Sequence, residues 1–204
     1  MAENIVIKDL SFTYAGEQSP ALSHLNLTFP AKQVTLLLGP SGSGKSTLLW
    51  CLNGLIPNAV EGQISGEIWY DRENILGRPP KVLCRKIGAV YQDPESQFCT
   101  FTVEDEIVFG LENLNLDKAT MSGRLDHVLR LVGIENLRFA QLSNLSGGEK
   151  QKVAIAAVLA LDPQVILLDE PTANLDPKSS AEIFDLIRRL KVEHGKTILL
   201  VEHK

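Results

Sequence analysis

The first third of the chain is built on a two-residue period. Ile5-Val6-Ile7 is a short β-branched run. Leu10, Phe12 and Tyr14 then alternate with Ser11 and Thr13 until Ala15-Gly16 turns the chain, which predicts a strand. Leu25, Leu27 and Phe29 alternate in the same way, a second half-buried strand that Pro30 ends. Val34-Thr35-Leu36-Leu37-Leu38 loses the alternation, and a short apolar run bounded by a turn predicts a buried strand. Leu48, Leu49, Leu52 and Leu55 follow at helical spacing. Pro57 and Gly62 mark a connection, Gly66 to Asp71 reads as strand and turn, and Ile87 to Tyr91 as another short buried strand.

Beyond Gln92-Asp93 the period changes. Pro94 disfavours a helix through Asp93. Thr102-Val103-Glu104-Asp105 is a capping pattern that opens a helix with Val103, Ile107, Val108 and Leu111 on one side. Leu125, Val128, Leu129 and Val132 stripe a second helix that Gly133 stops. Ser146-Gly147-Gly148-Glu149 starts a third, with Val153, Ala154, Ala157, Val158 and Leu161 inward. The α/β pattern then resumes. Val165 to Leu168 has no polar member, as expected of a parallel strand covered on both faces. Asp176-Pro177 reads as the cap and first residue of a helix striped by Ile183, Leu186, Ile187 and Leu190, with Gly195 at its end. Thr197 to Val201 is a last strand, with His203 after it.

Composition adds bounds to this picture. The 204 residues suffice for one large domain or a core with an inserted subdomain. With 44% hydrophobic and 22% charged residues the chain has a globular composition. A net charge of −5 gives no reason to expect nucleic acid or an anionic membrane surface. Cys51, Cys84 and Cys99 are odd in number and form no C-x-x-C, so they predict neither a disulfide frame nor a zinc site. Glu3 and Asn4 interrupt any apolar leader, and the longest apolar run, Val153 to Leu161, is too short to span a bilayer. Any membrane role is expected to go through a partner.

The chemistry concentrates in two places. Gly39-Pro40-Ser41-Gly42-Ser43-Gly44-Lys45-Ser46-Thr47 matches G-x-x-x-x-G-K-[ST] and lies between a predicted strand and a predicted helix, the context that this phosphate-binding pattern needs. Glycines let backbone N–H groups turn inward, and with the positive end of the next helix they form an anion cradle. Lys45 would reach the β- and γ-phosphates and the Ser46 hydroxyl would ligate Mg²⁺. Downstream, Asp169-Glu170 puts two carboxylates at the carboxyl end of an apolar strand, the edge where open α/β sheets bind ligands. Asp169 would hold Mg²⁺ through water, and Glu170 would orient and deprotonate the attacking water. Tyr14 either stacks on an adenine ring or is an ordinary strand aromatic.

Leu145-Ser146-Gly147-Gly148-Glu149-Lys150-Gln151 resembles the LSGGQ signature of ATP-binding cassette ATPases, and the resemblance runs through the whole chain in order. It implies an α/β fold: a P-loop NTPase (RecA-like) core, residues 1–92 and 161–204, with an N-terminal antiparallel β subdomain and an inserted all-helical subdomain, residues 93–160. It implies ATP and Mg²⁺ as cofactors. Under it Tyr14 becomes the adenine contact and residues 39–47 the Walker A loop. Gln92 becomes a Mg²⁺ and water ligand that senses a transmembrane partner. Val165 to Glu170 is Walker B, Ala173 to Asp176 the D-loop, and His203 the switch histidine that contacts the γ-phosphate and holds Glu170. Ser146, Gly147, Gly148 and Glu149 would close on the γ-phosphate held by a second cassette, burying two ATP molecules in a head-to-tail dimer. Glu149 departs from the usual Gln, Lys152 from the commoner Arg and Asn174 from Ala. Glu149 is expected to turn toward its own helix start rather than toward ATP.

Gln92 to Phe98, Thr102 to Ile107 and Phe109 to Asn113 further resemble the energy-coupling factor group, whose ATPases drive uptake of vitamins and of cobalt or nickel ions. That implies a peripheral subunit on the cytoplasmic face of the membrane, with a transmembrane coupling subunit as partner and no nucleic acid. Phe98 and Phe101 either meet that partner or pack within the helical subdomain. The chain stops one residue after His203, and the expectation is that it is the amino-terminal part of a longer polypeptide, one form being two cassettes in tandem. The rival functions are a non-transport cassette ATPase acting on ribosomes or DNA and a nucleotide-binding regulatory module that does not turn over. Glu170 and His203 argue against the latter.

Overall fold

The computed structural model describes residues 5–203; Glu3, Asn4 and Lys204, used above, lie outside them. In chain order the elements are β1 (Ile5–Tyr14), β2 (Leu22–Phe29), β3 (Val34–Leu38), α1 (Lys45–Leu52), α2 (Leu55–Asn58), β4 (Gly62–Tyr70), β5 (Glu73–Asn74), α3 (Pro80–Leu83) and β6 (Ile87–Val90). A 3-10 turn (Pro94–Gln97) leads to α4 (Val103–Glu112) and α5 (Lys118–Val132). Two more 3-10 turns precede α6 (Gly147–Ala160), β7 (Val165–Asp169), α7 (Pro177–Val192) and β8 (Thr197–Glu202).

The strands form two sheets. One is antiparallel, in the order β2-β1-β4-β5, and contains the alternating amino-terminal runs. The other is parallel, in the order β3-β8-β7-β6. Successive side chains of a strand face opposite ways, and β7 shows why it carries no polar member. Ile166 and Leu168 join a core made with α4, α5, α6 and α7. Val165 and Leu167 join the other core, made with α1 and the antiparallel sheet. A strand covered on both faces reads as a continuous apolar run.

The expectation that Val34–Leu38 is buried is overturned. Among the described residues β3 lies at the edge of the parallel sheet and pairs only with β8. Val34, Leu36 and Leu38 are 40, 50 and 59% exposed. α7 reaches only as far as a groove that it shares with Val34, and a strand paired on one side and poorly covered on one face leaves alternate residues exposed. The sequence cannot tell this edge strand from the central β7, because both are short apolar runs.

The helix ends follow local chemistry. The Thr102 side chain accepts from the Asp105 N–H, Asp117 caps α5, and Gly133 closes α5 in the left-handed region. Asp176 accepts from the Lys178 and Ser179 N–H groups and Pro177 opens α7. Ile183, Leu186, Ile187 and Leu190 are its buried stripe. α6 departs from a simple amphipathic stripe: Val153, Ala154, Ile155, Ala156, Leu159 and Ala160 are all buried, because α4, α5, α7 and β6 surround it. A helix enclosed on several sides needs no polar face.

Candidate functional site

β3 delivers the chain into a loop whose last residue only glycine can occupy. Gly44 has φ 87°, and a Cβ there would sit 2.6 Å from the Ala21 carbonyl oxygen and 2.9 Å from the Leu22 side chain. The packing of this loop against the start of β2 therefore demands glycine sterically as well as conformationally. α1 begins directly after it with no side-chain cap. Its first N–H groups are left for an anion, at the positive end of the helix. Lys45 Nζ donates to the Gly39 and Pro40 carbonyl oxygens at 2.7 and 2.9 Å, which holds its ammonium over the loop. Ser41, Gly42 and Ser43 are exposed, Gly44, Lys45 and Ser46 half-buried, and Thr47 buried. Tyr14 Oη lies 2.7 Å from Thr47 Oγ1, so the predicted adenine contact is tied to the phosphate-loop helix. Its ring meets Phe12 edge-on, with centroids 4.9 Å apart.

The second group gathers at the carboxyl end of β7. Asp169 is 5% exposed, and its Oδ1 has no hydrogen-bond partner. A buried carboxylate oxygen left unpaired is costly, and a cation or its water shell would relieve it. Glu170 follows with φ 49°, an unusual angle for a non-glycine residue and of a kind that concentrates at functional sites. Its own N–H donates to the Val201 carbonyl, which links the turn to β8. Gln92 Nε2, just past β6, donates to Glu170 Oε2 at 3.0 Å. His203 Nε2, just past β8, lies 2.5 Å from Glu170 Oε1. Three residues 78 and 33 positions apart thus meet on one carboxylate, because parallel strands β6, β7 and β8 end at the same sheet edge. Among the described residues no group of three or more His, Cys, Asp or Glu forms a cage for a metal ion. Mg²⁺ held largely by substrate phosphates and water needs only one or two protein ligands, so Ser46, Asp169 and Gln92 fit that role.

The signature turn is a capping box. The Ser146 side chain accepts from the Glu149 N–H, and Glu149 Oε2 accepts from the Ser146 N–H at 2.8 Å and from its hydroxyl at 2.7 Å. These bonds, the backbone one first, hold the Glu149 carboxyl below its ordinary range. Glu149 turns back on its own helix start. The two glycines differ. Gly147 is exposed, whereas Gly148 is buried, and a Cβ on it would sit 2.6 Å from Ser179 Oγ. Gly148 therefore also permits the close packing of α6 on the start of α7. Gln92, Glu95, Gly147, Lys150, Asn174 and Leu175 line part of one cleft of about 310 Å³. Among the described residues no hydrogen bond joins Ser146–Glu149 to the phosphate loop.

Sequence reasoning missed several residues around this site. The Asn53 side chain, at the end of α1, donates to the Tyr91 hydroxyl beside Gln92. Burial pushes the Tyr91 phenol up to about 12. Thr172 Oγ1 donates to Glu202 Oε1 at 3.0 Å, tying the segment after Glu170 to the residue before His203. The Gln97 side chain accepts from the Tyr91 N–H at 2.8 Å and donates to the Ala89 carbonyl. No local pattern announces these contacts. A weak signal existed for Glu106, a carboxylate one position from Ile107 on the apolar side of α4, whose 7% exposure the spacing could have suggested.

Residues 22–173 match the family model described as ABC transporter. The chain belongs to the ABC transporter ATP-binding family. It is 42% identical over 203 residues to a Bacillus subtilis protein named for HMP/thiamine import ATP binding, covering 99% of this chain and 37% of that one. It is also 42% identical to an ABC transporter ATP-binding protein of Pyrococcus horikoshii, covering 98% of this chain and 70% of that one. The chain thus spans little more than a third of the first relative's length. Among solved structures it resembles CbiO1 from Clostridium perfringens, described as part of the ABC transporter complex CbiONQ. That match has a TM-score of 0.87 and 34% identity, covering all of this chain and 80% of that one. Proteins of this family bind ATP, and the chain's likeness to CbiO1 supports the energy-coupling factor resemblance. No helix among its described residues is long and apolar enough to cross a membrane.

Proposed function

We propose that this cassette is the ATP-hydrolysing subunit of an energy-coupling factor importer for a vitamin or for cobalt or nickel ions. The single observation that carries hydrolysis is Glu170, a buried carboxylate held between Gln92 and His203 at the sheet edge from which the phosphate loop also leaves. Two contacts on two different oxygens fix the carboxylate's plane, which is what a general base acting on one water requires. In this reading the loop N–H groups and Lys45 hold the β- and γ-phosphates, and Tyr14 meets the adenine. Mg²⁺ bound by Ser46, Asp169 and Gln92 would supply charge neutralisation on the phosphates. Glu170 takes a proton from the attacking water, and His203 keeps it oriented.

Residues 93–160 act as the helical signature module, presenting Ser146–Glu149 to the γ-phosphate of a second cassette in a head-to-tail dimer. The exposed Ser146 and Gly147 at the start of α6 leave that helix end open to a second chain, which supports the arrangement. Phe98 and Phe101 line a groove of about 340 Å³ with Glu95 and Leu142, and Phe101 is 86% exposed. Exposed aromatics at grooves anchor partners at interfaces, which supports reading this groove as the seat of the transmembrane subunit, with the cassette at the cytoplasmic membrane face. The names given to the Bacillus subtilis and Clostridium perfringens relatives support the importer class.

The decisive experiment is ATP turnover by the full-length protein and its Glu170→Gln variant. Loss of a positioned general base removes about 10²- to 10⁴-fold in rate, so turnover falls at least a hundredfold while ATP binding persists and a nucleotide-bound dimer accumulates. Hydrolysis by the variant at the parental rate would remove Glu170 from the role of general base, whereas no turnover by the parent itself would return the chain to the regulatory-module reading.

A further inference from the structure

The loop between the 3-10 turn and α4 has no regular structure, yet it is tied down. The Cys99 N–H, the Thr100 N–H and the Thr100 hydroxyl all donate to one oxygen, Glu106 Oε2, at 3.0, 3.0 and 2.9 Å. Glu106 lies in the first turn of α4 and is buried, where the helix dipole also favours a negative charge. Charge-assisted bonds are the strong ones, and three of them on one buried oxygen make this carboxylate a clamp. Neighbouring contacts complete the frame. The Phe101 carbonyl accepts from the Leu142 N–H at 2.9 Å, and Thr102 bridges to Gln141. At the other end Gln97 grips both the Ala89 carbonyl and the Tyr91 N–H, next to Gln92. The consequence is an unusual combination. Phe101 is almost fully solvent-exposed although the backbone on both sides of it is fixed.

We propose that Glu106 is a positioning residue for partner docking: its buried carboxylate pre-orders residues 98–101 so that Phe98 and Phe101 meet the membrane subunit without an ordering cost on assembly. The inference rests on the docking reading of this groove given above. Holding an aromatic anchor in its bound geometry before contact raises affinity by removing the entropy otherwise lost on binding. Because Gln97 joins the same segment to Tyr91, the fixed loop also gives the partner a short covalent and hydrogen-bonded route to Gln92.

The test uses the full-length chain with the membrane subunit that co-purifies with it in detergent, and three variants: Glu106→Ala, Glu106→Gln and Phe101→Ala. Amide hydrogen exchange of the free ATPase comes first. Exchange at Cys99 and Thr100 should quicken at least tenfold in Glu106→Ala and less in Glu106→Gln, whose amide oxygen still accepts. Unchanged exchange would overturn the clamp whatever the partner does. Affinity for the membrane subunit should fall roughly tenfold in Glu106→Ala, with partial rescue in Glu106→Gln. Basal ATPase rate of the isolated subunit should stay within about twofold. Basal rate and melting temperature falling together with affinity would mean a general structural role and would overturn the proposal. Phe101→Ala separates the two readings. If it weakens assembly and Glu106→Ala does not, positioning by Glu106 is wrong and docking at the groove stands. If neither weakens assembly, the docking reading itself fails.

Discussion

Single residues here are constrained by their neighbours in ways that can be measured one at a time. Gly44 has a carbonyl oxygen where a Cβ would go, so Gly44→Ala must displace either the loop or the start of β2. Strain of this kind amounts to about 1–3 kcal/mol. ATP affinity, read by nucleotide titration, is expected to drop about tenfold or more, and parental affinity would show that the loop can shift freely. Cys51 lies on α1 behind the loop, and burial pushes its thiol up to about 12. Cys99 is exposed. Maleimide labelling of the native protein should therefore modify Cys99 and spare Cys51 until urea unfolds the chain, since the thiolate is the reactive form. Comparable native rates at both would contradict the packing of α1.

At the scale of elements, the signature helix carries its own start signal. Ser146→Ala removes the cap and should cost about 1 kcal/mol in urea unfolding. Glu149 adds a pH-dependent part. Its carboxyl is held below its ordinary 4.5, first by the Ser146 N–H and then by the Ser146 hydroxyl. A carboxyl lowered on folding contributes stability that is complete above the unfolded value and is lost as pH falls through the folded one. The stability gap between the parent and Glu149→Gln should thus be present at neutral pH and shrink below about pH 4. A gap independent of pH would deny the bond its charge. The Ser146 capping box, the Thr102 cap, the Asp176-Pro177 start and the Gly133 stop were all legible in the sequence, because each is decided by residues within one turn of helix. The exposure of β3 was not, since edge or centre is a property of the neighbours that a strand acquires.

In the whole molecule, the parallel sheet joins the helical segment to the antiparallel one. Alternate residues of β6, β7 and β8 belong to the two cores on opposite faces. Leu167 is fully buried among α1 and the antiparallel sheet, and Leu167→Ala should cost about 3 kcal/mol. The shared sheet also predicts one cooperative transition. Trp50 and Trp69 report on α1 and the antiparallel sheet, while far-UV circular dichroism is dominated by helices α4 to α7. The two urea curves should coincide. Separate midpoints would show that the helical segment unfolds as an independent unit.

The sequence by itself determined the phosphate-loop pattern, the carboxylate pair, the capped signature turn and the order of the longer strands and helices (though not the short α2, β5 and α3), because each rests on backbone geometry or hydrogen bonding among residues a few positions apart. The contact of His203 with Glu170 was implied by the family resemblance, but tertiary structure alone decided that Gln92 joins it there, that Tyr14 reaches Thr47, that Gly148 yields to Ser179 and that Glu106 gathers the loop before it. Those partners lie up to 78 positions away and meet only because parallel strands end at one edge and helices pack across them. Distance along a chain carries no information about such meetings until the sheet order is known.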